Sequence, residues 1–236
     1  MLSIFCNNPW VMPPEPAIIR RIFEERGALM TFAKSTTLAH GGSDGLVYCM
    51  KKGVVTFGYL DAKEDYQVLS LIIAGRTVGD LDSLDPAPCG IIAEVLKPSE
   101  LWVLHRDEWL AAIRTSVETM EAYALSANRK HQCAMEGMIA NYTQPLELRL
   151  KYLILALIQS HYPVRPGDWN PCPVTLNITD IAHIVASSRS WVSRTISGWI
   201  EAGLVRKDRR ILLFHGRLFQ DELTCGKYST WPPASA

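Results

Sequence analysis

Between Ala186 and Arg217 the chain carries seven lysine or arginine residues (Arg189, Arg194, Arg206, Lys207, Arg209, Arg210, Arg217) against two acids, Glu201 and Asp208. The formal charge of the whole chain is zero, so this local excess of five is invisible in the bulk composition. Such a patch has the chemistry to bind a polyanion. Lysine and arginine neutralise phosphates, arginine donates two parallel bonds to guanine O6 and N7, and serine hydroxyls suit phosphates or base edges. The residues placed to act this way are Ser188, Arg189, Ser190, Trp191, Ser193 and Arg194 on one short stretch, Lys207 and Arg209 on another, and Asn177 and Thr179 just upstream.

Other chemistries are poorly served. Cys6, Cys49, Cys89, Cys133, Cys172 and Cys225 are scattered without a C-x-x-C pair, and no two histidines form an H-x-H pair. A structural zinc, a close-set iron–sulfur ligand run or a jelly-roll metal enzyme is therefore not expected. No metal site and no enzyme activity is predicted.

The elements that must hold the basic patch can be read locally. Asn177 is a helix N-cap, because its side-chain oxygen accepts from a backbone N–H that would otherwise be unpaired. Ile178, Ile181, Ala182, Ile184 and Val185 supply the apolar face of the helix that follows. Ala186-Ser187-Ser188 suits a turn, with Ser188 capping a second helix over residues 189–202. Val192, Ile196, Trp199 and Ile200 fall at helical spacing and point inward, which leaves both arginines near the front of the outer face. Gly203 closes the helix, and residues 204–205 and 211–214 read as a hairpin around Arg206-Lys207-Asp208-Arg209-Arg210. Two readings stay open for Trp191: contact with a phosphate or thymine methyl, or packing against the hairpin or another domain. Trp199 is core, and His183 is structural.

The run SSRSWVSRTISGWIEAGLVRKDRRILLF resembles the C-terminal winged helix of the CRP/FNR transcription regulators, with Ser188, Arg189, Val192, Ser193 and Arg194 matching its pattern in order. Where the family has Glu after the first Arg, this chain has Ser190 followed by Trp191. The resemblance implies a DNA-binding regulator that acts as a homodimer on two-fold related half-sites of double-stranded DNA, with RNA polymerase as a further partner. A cyclic-nucleotide-like sensor module acting on a protein partner is the alternative.

Upstream, residues 16–26 read as a short helix closed by Gly27, after a proline-rich arm that lies across the first domain or stays mobile. Strands are expected over Ala28–Phe32 and residues 46–50, 54–60, 67–73, 91–96 and 100–105, with Gly53 and Lys97-Pro98-Ser99 among the turns between them. This texture argues for an N-terminal jelly-roll β-barrel in an α+β chain. It resembles the family's cyclic-nucleotide-binding barrel at residues 46–55 and at Gly75-Arg76-Thr77-Val78-Gly79-Asp80-Leu81. The relatives that bind cyclic AMP place an Arg-Ser or Arg-Thr pair where this chain has Cys89-Gly90. Neither residue neutralises a phosphate, so the resemblance with this departure implies no cyclic AMP. Arg76 is read as a solvated strand-end residue. The effector pocket, if one exists, draws on Gly79, Asp80, Leu81, Cys89, Gly90, His131 and Ala134. Haem, with His40, Cys89, His105 or His131 as axial donor, or another small effector, is the other possibility; otherwise the cofactor is none.

A continuous helix is expected over residues 106–142, with Leu110, Ile113, Val117, Met120, Ala124, Ala127, His131, Ala134 and Met138 forming a heptad seam between two copies. Residues 146–161 form an apolar helix, and residues 174–176 a short strand before Asn177. The domain reading is 1–105 arm and barrel, 106–142 dimerisation helix, 143–225 winged helix–turn–helix and 226–236 tail. With no apolar run of about eighteen residues and no basic leader, a cytoplasmic protein without a membrane partner is expected.

Overall fold

The computed structural model describes residues 8–40, 45–62, 64, 66–84, 90–209 and 211–224; of these, Ala39, His40, Leu223 and Thr224 are described by their backbone alone. Cys89, Arg210 and the tail lie outside the described residues. The chain divides into two compact units, Met12–Gln132 and Met1–Val11 with Cys133–Ala236.

The first unit opens with helix α1 (Ala17–Arg26) and strands β1 (Ala28–Phe32), β2 (Thr37–His40), β3 (Leu46–Leu60), β4 (Tyr66–Ile72) and β5 (Thr77–Val78). A single 3-10 turn, Leu81–Ser83, leads to β6 (Ile91–His105), helix α2 (Arg106–Ile113) and the start of helix α3 (Val117–Thr143). All six strands form one antiparallel sheet in the order β1-β6-β3-β4, with β2 also paired to β6 and β5 to β3. Among the described residues the ladder does not return from β4 to β1. The sheet is therefore not closed into the barrel the strand spacing suggested.

The strands at residues 46–50 and 54–60 are one strand, β3, and those at 91–96 and 100–105 are one strand, β6. The breakers Gly53 and Pro98 sit close to one another across the β3–β6 ladder, whose register shifts twice between Met50 and Val54. Both strands bulge at one place, so each continues where a lone strand would stop. Gly53 has φ +116, a backbone state that L side chains rarely adopt, and a Cβ there would collide with Ser99 Oγ. That Ser99 Oγ accepts from Val54 N (3.2 Å) and donates to Lys97 O (2.6 Å), which seals the bulge.

Both faces of the sheet are covered. Tyr48, Met50 and Leu101 face one core with Leu38, Val55, Ile72, Val78 and Val95. Val47, Cys49 and Leu104 face the other, against Ile19, Phe23, Trp109 and Tyr123 from the helices. This is period-two alternation with apolar partners on both sides, and it explains why VYCM reads as an unbroken hydrophobic run. Trp109 packs between Phe23, tilted at 5.2 Å between ring centroids, and Tyr123, edge-on at 5.4 Å. The proline-rich arm is docked from Met12 onward: Met12 N bonds Leu71 O (2.9 Å) and Glu15 N bonds Gly75 O (2.8 Å).

The helix predicted over residues 106–142 is two helices. α2 stops at Ile113, and Ser116 starts α3 by accepting from Thr119 N (3.1 Å). No helix among the described residues is long and apolar enough to cross a membrane.

The second unit takes the rest of α3, then α4 (Leu146–Gln159), β7 (Trp169–Pro171), α5 (Ile178–Ile184), α6 (Arg189–Glu201), β8 (Val205–Asp208), β9 (Ile211–His215), a 3-10 turn and α7 (Gln220–Thr224). Its three strands form a sheet in the order β7-β9-β8. The short strand preceding α5 is β7, not residues 174–176. Asn170 fixes it by bonding Arg165 N (2.8 Å) and Phe214 O (3.3 Å). Leu150, Leu153, Leu155 and Ile158 of α4 are wholly buried beneath this layer.

Substituting Gly53→Ala should lower the unfolding free energy by about 1–3 kcal/mol, the cost of forcing a side chain into that backbone state. The check is a lower urea midpoint with an unchanged slope.

Candidate nucleic-acid interface

Side chains pair several backbone groups of the α5–α6 turn that would otherwise be unpaired. Asn177 caps α5 in a reciprocal box: its Oδ1 accepts from Asp180 N (2.8 Å), while Asp180 Oδ2 accepts from Asn177 N (3.1 Å). At the other end of α5, Asn141 Nδ2 donates to Ile184 O (3.3 Å), and Arg149 Nη1 donates to Val185 O (2.5 Å) and Ala186 O (3.2 Å). Burial pushes the Arg149 guanidinium below its usual range. Ser188 then caps α6 by accepting from Trp191 N (3.3 Å). Gly203, at φ +67, closes α6: its own N bonds Ile200 O (3.0 Å), while Leu204 N reaches Trp199 O (2.8 Å). These are the paired bonds of a Schellman cap, and they send the chain directly into β8.

With both ends fixed, the faces of α6 are fixed too. Val192, Ile196 and Trp199 are buried; Ile200, expected inside, is 47% exposed. Ile200 falls at the edge of the apolar arc, where the layer beneath no longer covers it. Arg189, Ser190, Trp191, Ser193 and Arg194 are all exposed. Trp191 does not pack away: it is 56% exposed, and the Arg194 guanidinium lies over its ring at 4.9 Å. Arg194 Nε also donates to Ser190 O (3.3 Å), so the cation is held at the surface in a preset direction. Ser188 Oγ, which meets Ser190 Oγ at 3.1 Å, has a capping duty before any external one. Asn177 is exposed and Thr179 half-buried.

On the hairpin, Arg206, Lys207 and Arg209 are exposed, and Arg209 turns the chain at φ +52. Arg206 stacks over Trp169 of β7 at 4.3 Å, a cation–π contact with no local signal, since 37 residues separate the pair. Arg149 and Asn141 were missed as well. Their only sequence signal is a polar residue interrupting an apolar helix pattern.

In the first unit the predicted effector residues part company. Gly90 and His131 are exposed, Leu81 is half-buried, and Gly79 turns the chain at φ +78; Ala134, half-buried, belongs to the second unit. His131 Nδ1 meets Ala127 O at 2.9 Å, and His105 is exposed. Among the described residues no three His, Cys, Asp or Glu side chains converge as a metal site would require. Arg76 is not solvated: it is 2% exposed and donates to Met12 O (2.9 Å) and Ala74 O (2.5 Å).

Asp80 is buried beside a residue that sequence reasoning overlooked, Lys130. The Lys130 Nζ contacts Glu15 Oε1 (2.5 Å), Asp80 Oδ2 (2.7 Å) and Thr77 Oγ1 (2.5 Å). Glu15 is further bonded by the Thr77 hydroxyl (2.7 Å) and the Ser126 hydroxyl (2.6 Å). Burial alone would lower the ammonium's affinity for its proton, but Asp80 and Glu15 outweigh it and hold the pKa above the usual lysine range. The nearby Cys49 thiol is pushed well up by burial, with Glu15 adding to the effect, and is inert as a nucleophile.

The residues predicted to form a dimer seam fall on two helices and differ in exposure. Leu110 and Ile113 are buried against Phe23 and Trp109, while Met120 and Ala127 are half-buried and packed on the same cluster. Val117, Ala124 and Met138 are exposed, and Leu125, Met135, Ile139 and Tyr142 join them on α3.

Replacing Lys130 by Met strands two buried carboxylates. Lys130→Met should cost about 3–5 kcal/mol of stability, and adding Asp80→Asn should recover part of it. Because the folded-state pKa of Lys130 is raised, its contribution is complete below about pH 10 and fades as pH climbs through the raised value. Urea denaturation of both variants and the parent from pH 7 to 11 checks the size and the sign.

No family model matches the sequence, and no curated protein matches it. Solved structures do match its fold. FixK2 from Bradyrhizobium japonicum superposes with a TM-score of 0.69 at 16% identity, covering 89% of this chain and 99% of that one. The c-di-GMP responsive global regulator CLP of Xanthomonas campestris gives 0.64 at 14% identity, over 85% and 100% of the two chains. A CRP-family transcriptional regulator from Thermus thermophilus gives 0.63 at 20% identity, over 84% and 96%. At these identities the superpositions show the fold: this chain has a CRP/FNR-like fold.

Proposed function

We propose that the chain is a sequence-specific DNA-binding transcription regulator acting as a homodimer. The observation that carries this reading is the outer face of α6, where Arg189, Ser190, Trp191, Ser193 and Arg194 stand exposed at the front of a doubly capped helix beside a hairpin bearing Arg206, Lys207 and Arg209. An α-helix fits the major groove, and its first turns reach base edges. Arg194 is the base reader, with Trp191 supplying a flat apolar surface beside it for a thymine methyl or sugar. Lys207 and Arg209 lie along the phosphate backbone as a wing, and Asn177, Thr179 and Ser188 approach phosphates at the flank. The described residues from 143 to 224 act as the winged helix, and those of the first unit up to His105 as the sensory domain.

One such helix reads few base pairs, so two copies are needed, related by a two-fold axis. The exposed apolar residues of α3 are the surface for that pairing: Tyr142 is 91% exposed and Val117 75%. Such residues on one helix are stable in water once a partner covers them. RNA polymerase is a further partner, the cytoplasm the compartment, and no reaction is catalysed.

The sensory domain does not bind cyclic AMP. An anionic phosphate needs unengaged cations and N–H donors. The buried cation here, Lys130, is already engaged by two carboxylates, and Arg76 donates to backbone carbonyls. Another small effector, or none, completes the reading.

Selection from a random duplex pool, read by mobility shift at low salt, tests the proposal. Two-fold related half-sites about 10 base pairs apart are expected; a protein that ignores every duplex and stays monomeric at micromolar concentration overturns it. In the same assay Arg194→Ala should lose about 1–3 kcal/mol of discrimination at one base position. Lys207→Ala should weaken binding to all sequences alike and flatten the dependence of log K on log salt by about one phosphate contact.

A further inference from the structure

We infer that the winged-helix domain contains a ligand site for a short-chain amphiphilic carboxylate. The cavity lies between α4, the segment leading into α5, and the hairpin, and has a volume of about 310 Å³. That lies at the lower end of small-molecule pockets. At roughly 30 Å³ per liquid-packed non-hydrogen atom it holds about ten such atoms. Its walls are Leu153, Leu157, Ile181, Leu212 and Phe214, which is a lining for a hydrocarbon chain and not for a sugar or a nucleotide.

The same cavity has one charged lining residue, Lys207. Lys207 is exposed, and no acid pairs with it among the described residues. An apolar slot whose lining holds a single unpaired cation fits a molecule with one apolar tail and one anionic head. The volume admits one tail of about eight carbons and excludes a two-chain lipid. Cys172 also lines the cavity, but burial pushes its thiol up to about 11, so the ligand is held without a covalent bond. Thr175 lines the cavity and is exposed, so it stands at the mouth.

If Lys207 also serves the DNA wing, it cannot hold a carboxylate and a phosphate together, so the occupied site lowers DNA affinity. The ligand site itself does not depend on the DNA-binding reading.

Isothermal titration of the full chain with octanoate, without DNA, tests the site. One saturable site below about 1 mM is expected. Octanol should bind at least about tenfold more weakly, and Lys207→Gln should weaken octanoate by a similar factor, through loss of a charge-assisted bond. Thr175→Trp, which blocks the mouth from an exposed position, should abolish octanoate binding while leaving the DNA shift intact. Absence of a saturable site, equal binding of octanol, or unaltered binding by Thr175→Trp each overturns the proposal. A mobility shift run in parallel keeps the two readings apart: octanoate bound by a protein that ignores DNA refutes only the DNA reading, and DNA bound by a protein that ignores octanoate refutes only the ligand site.

Discussion

The first unit depends on a buried ammonium. Lys130 sits at 1% exposure with its three N–H bonds directed at Glu15, Asp80 and Thr77. Taking three charges out of water costs several kcal/mol per ion, and the arrangement persists only because every donor has an acceptor. Lys130 stands in the middle of α3, and its partners come from the arm before α1, from β5 and from the turn after it. Glu15 is suited to its part because prolines precede and follow it, which confines its backbone to extended conformations before any tertiary contact forms. The same turn is bound again through the Asp80 carbonyl, which accepts from Tyr123 Oη at 2.7 Å and Ser83 Oγ at 2.5 Å. α3 is thereby registered on the sheet by directional bonds, where apolar packing alone would allow it to slide.

The second unit solves a related problem with backbone carbonyls. A helix end inside a tight turn leaves carbonyls that have no intrahelical partner. Here Asn141 from α3 and Arg149 from α4 meet those of Ile184, Val185 and Ala186, so the position of α6 follows from two helices that precede it in the chain. This is why Ala186 can hold φ +47, an uncommon state for a residue with a Cβ. The cost is an Arg149 Nε that is buried without a hydrogen-bond partner. Precision at the exposed face of α6 is thus set by residues that make no contribution to that face themselves.

Much of the second unit could be read from the chain because its signals are local. Asn177, Ser188 and Gly203 mark helix ends by chemistry confined to a few neighbours, and all three act in those places. Local signals mislead wherever a residue's role depends on something distant. Gly53 and Pro98 each resemble a strand terminator, and only their meeting across the ladder turns two breaks into one bulge. Ser116 is hidden inside an apolar periodicity that runs past it, so two helices read as one and the burial of Leu110 and Ile113 inside the unit is not visible. Lys130 shows the limit most clearly. A lysine on a helix is ordinarily a solvated residue, and nothing in its neighbourhood announces that a glutamate 115 positions earlier will reach it. Arg76 misleads in the same direction.

These cases share a cause that bears on how the two units divide their labour. The chain has as many acidic as basic residues, 24 of each, yet the two units use them in opposite ways. In the first, Lys130 and Arg76 are buried and satisfied by partners within the unit, so their charges define geometry and are closed to outside ligands. In the second, Arg189, Arg194, Lys207 and Arg209 remain at the surface, and the aromatic platforms of Trp191 and Trp169 orient Arg194 and Arg206 without neutralising them. A ring face fixes a guanidinium in space yet leaves its full charge for another partner, which a carboxylate would not. With a ring rather than a carboxylate beside them, Arg194 and Arg206 therefore keep their full charge at the surface.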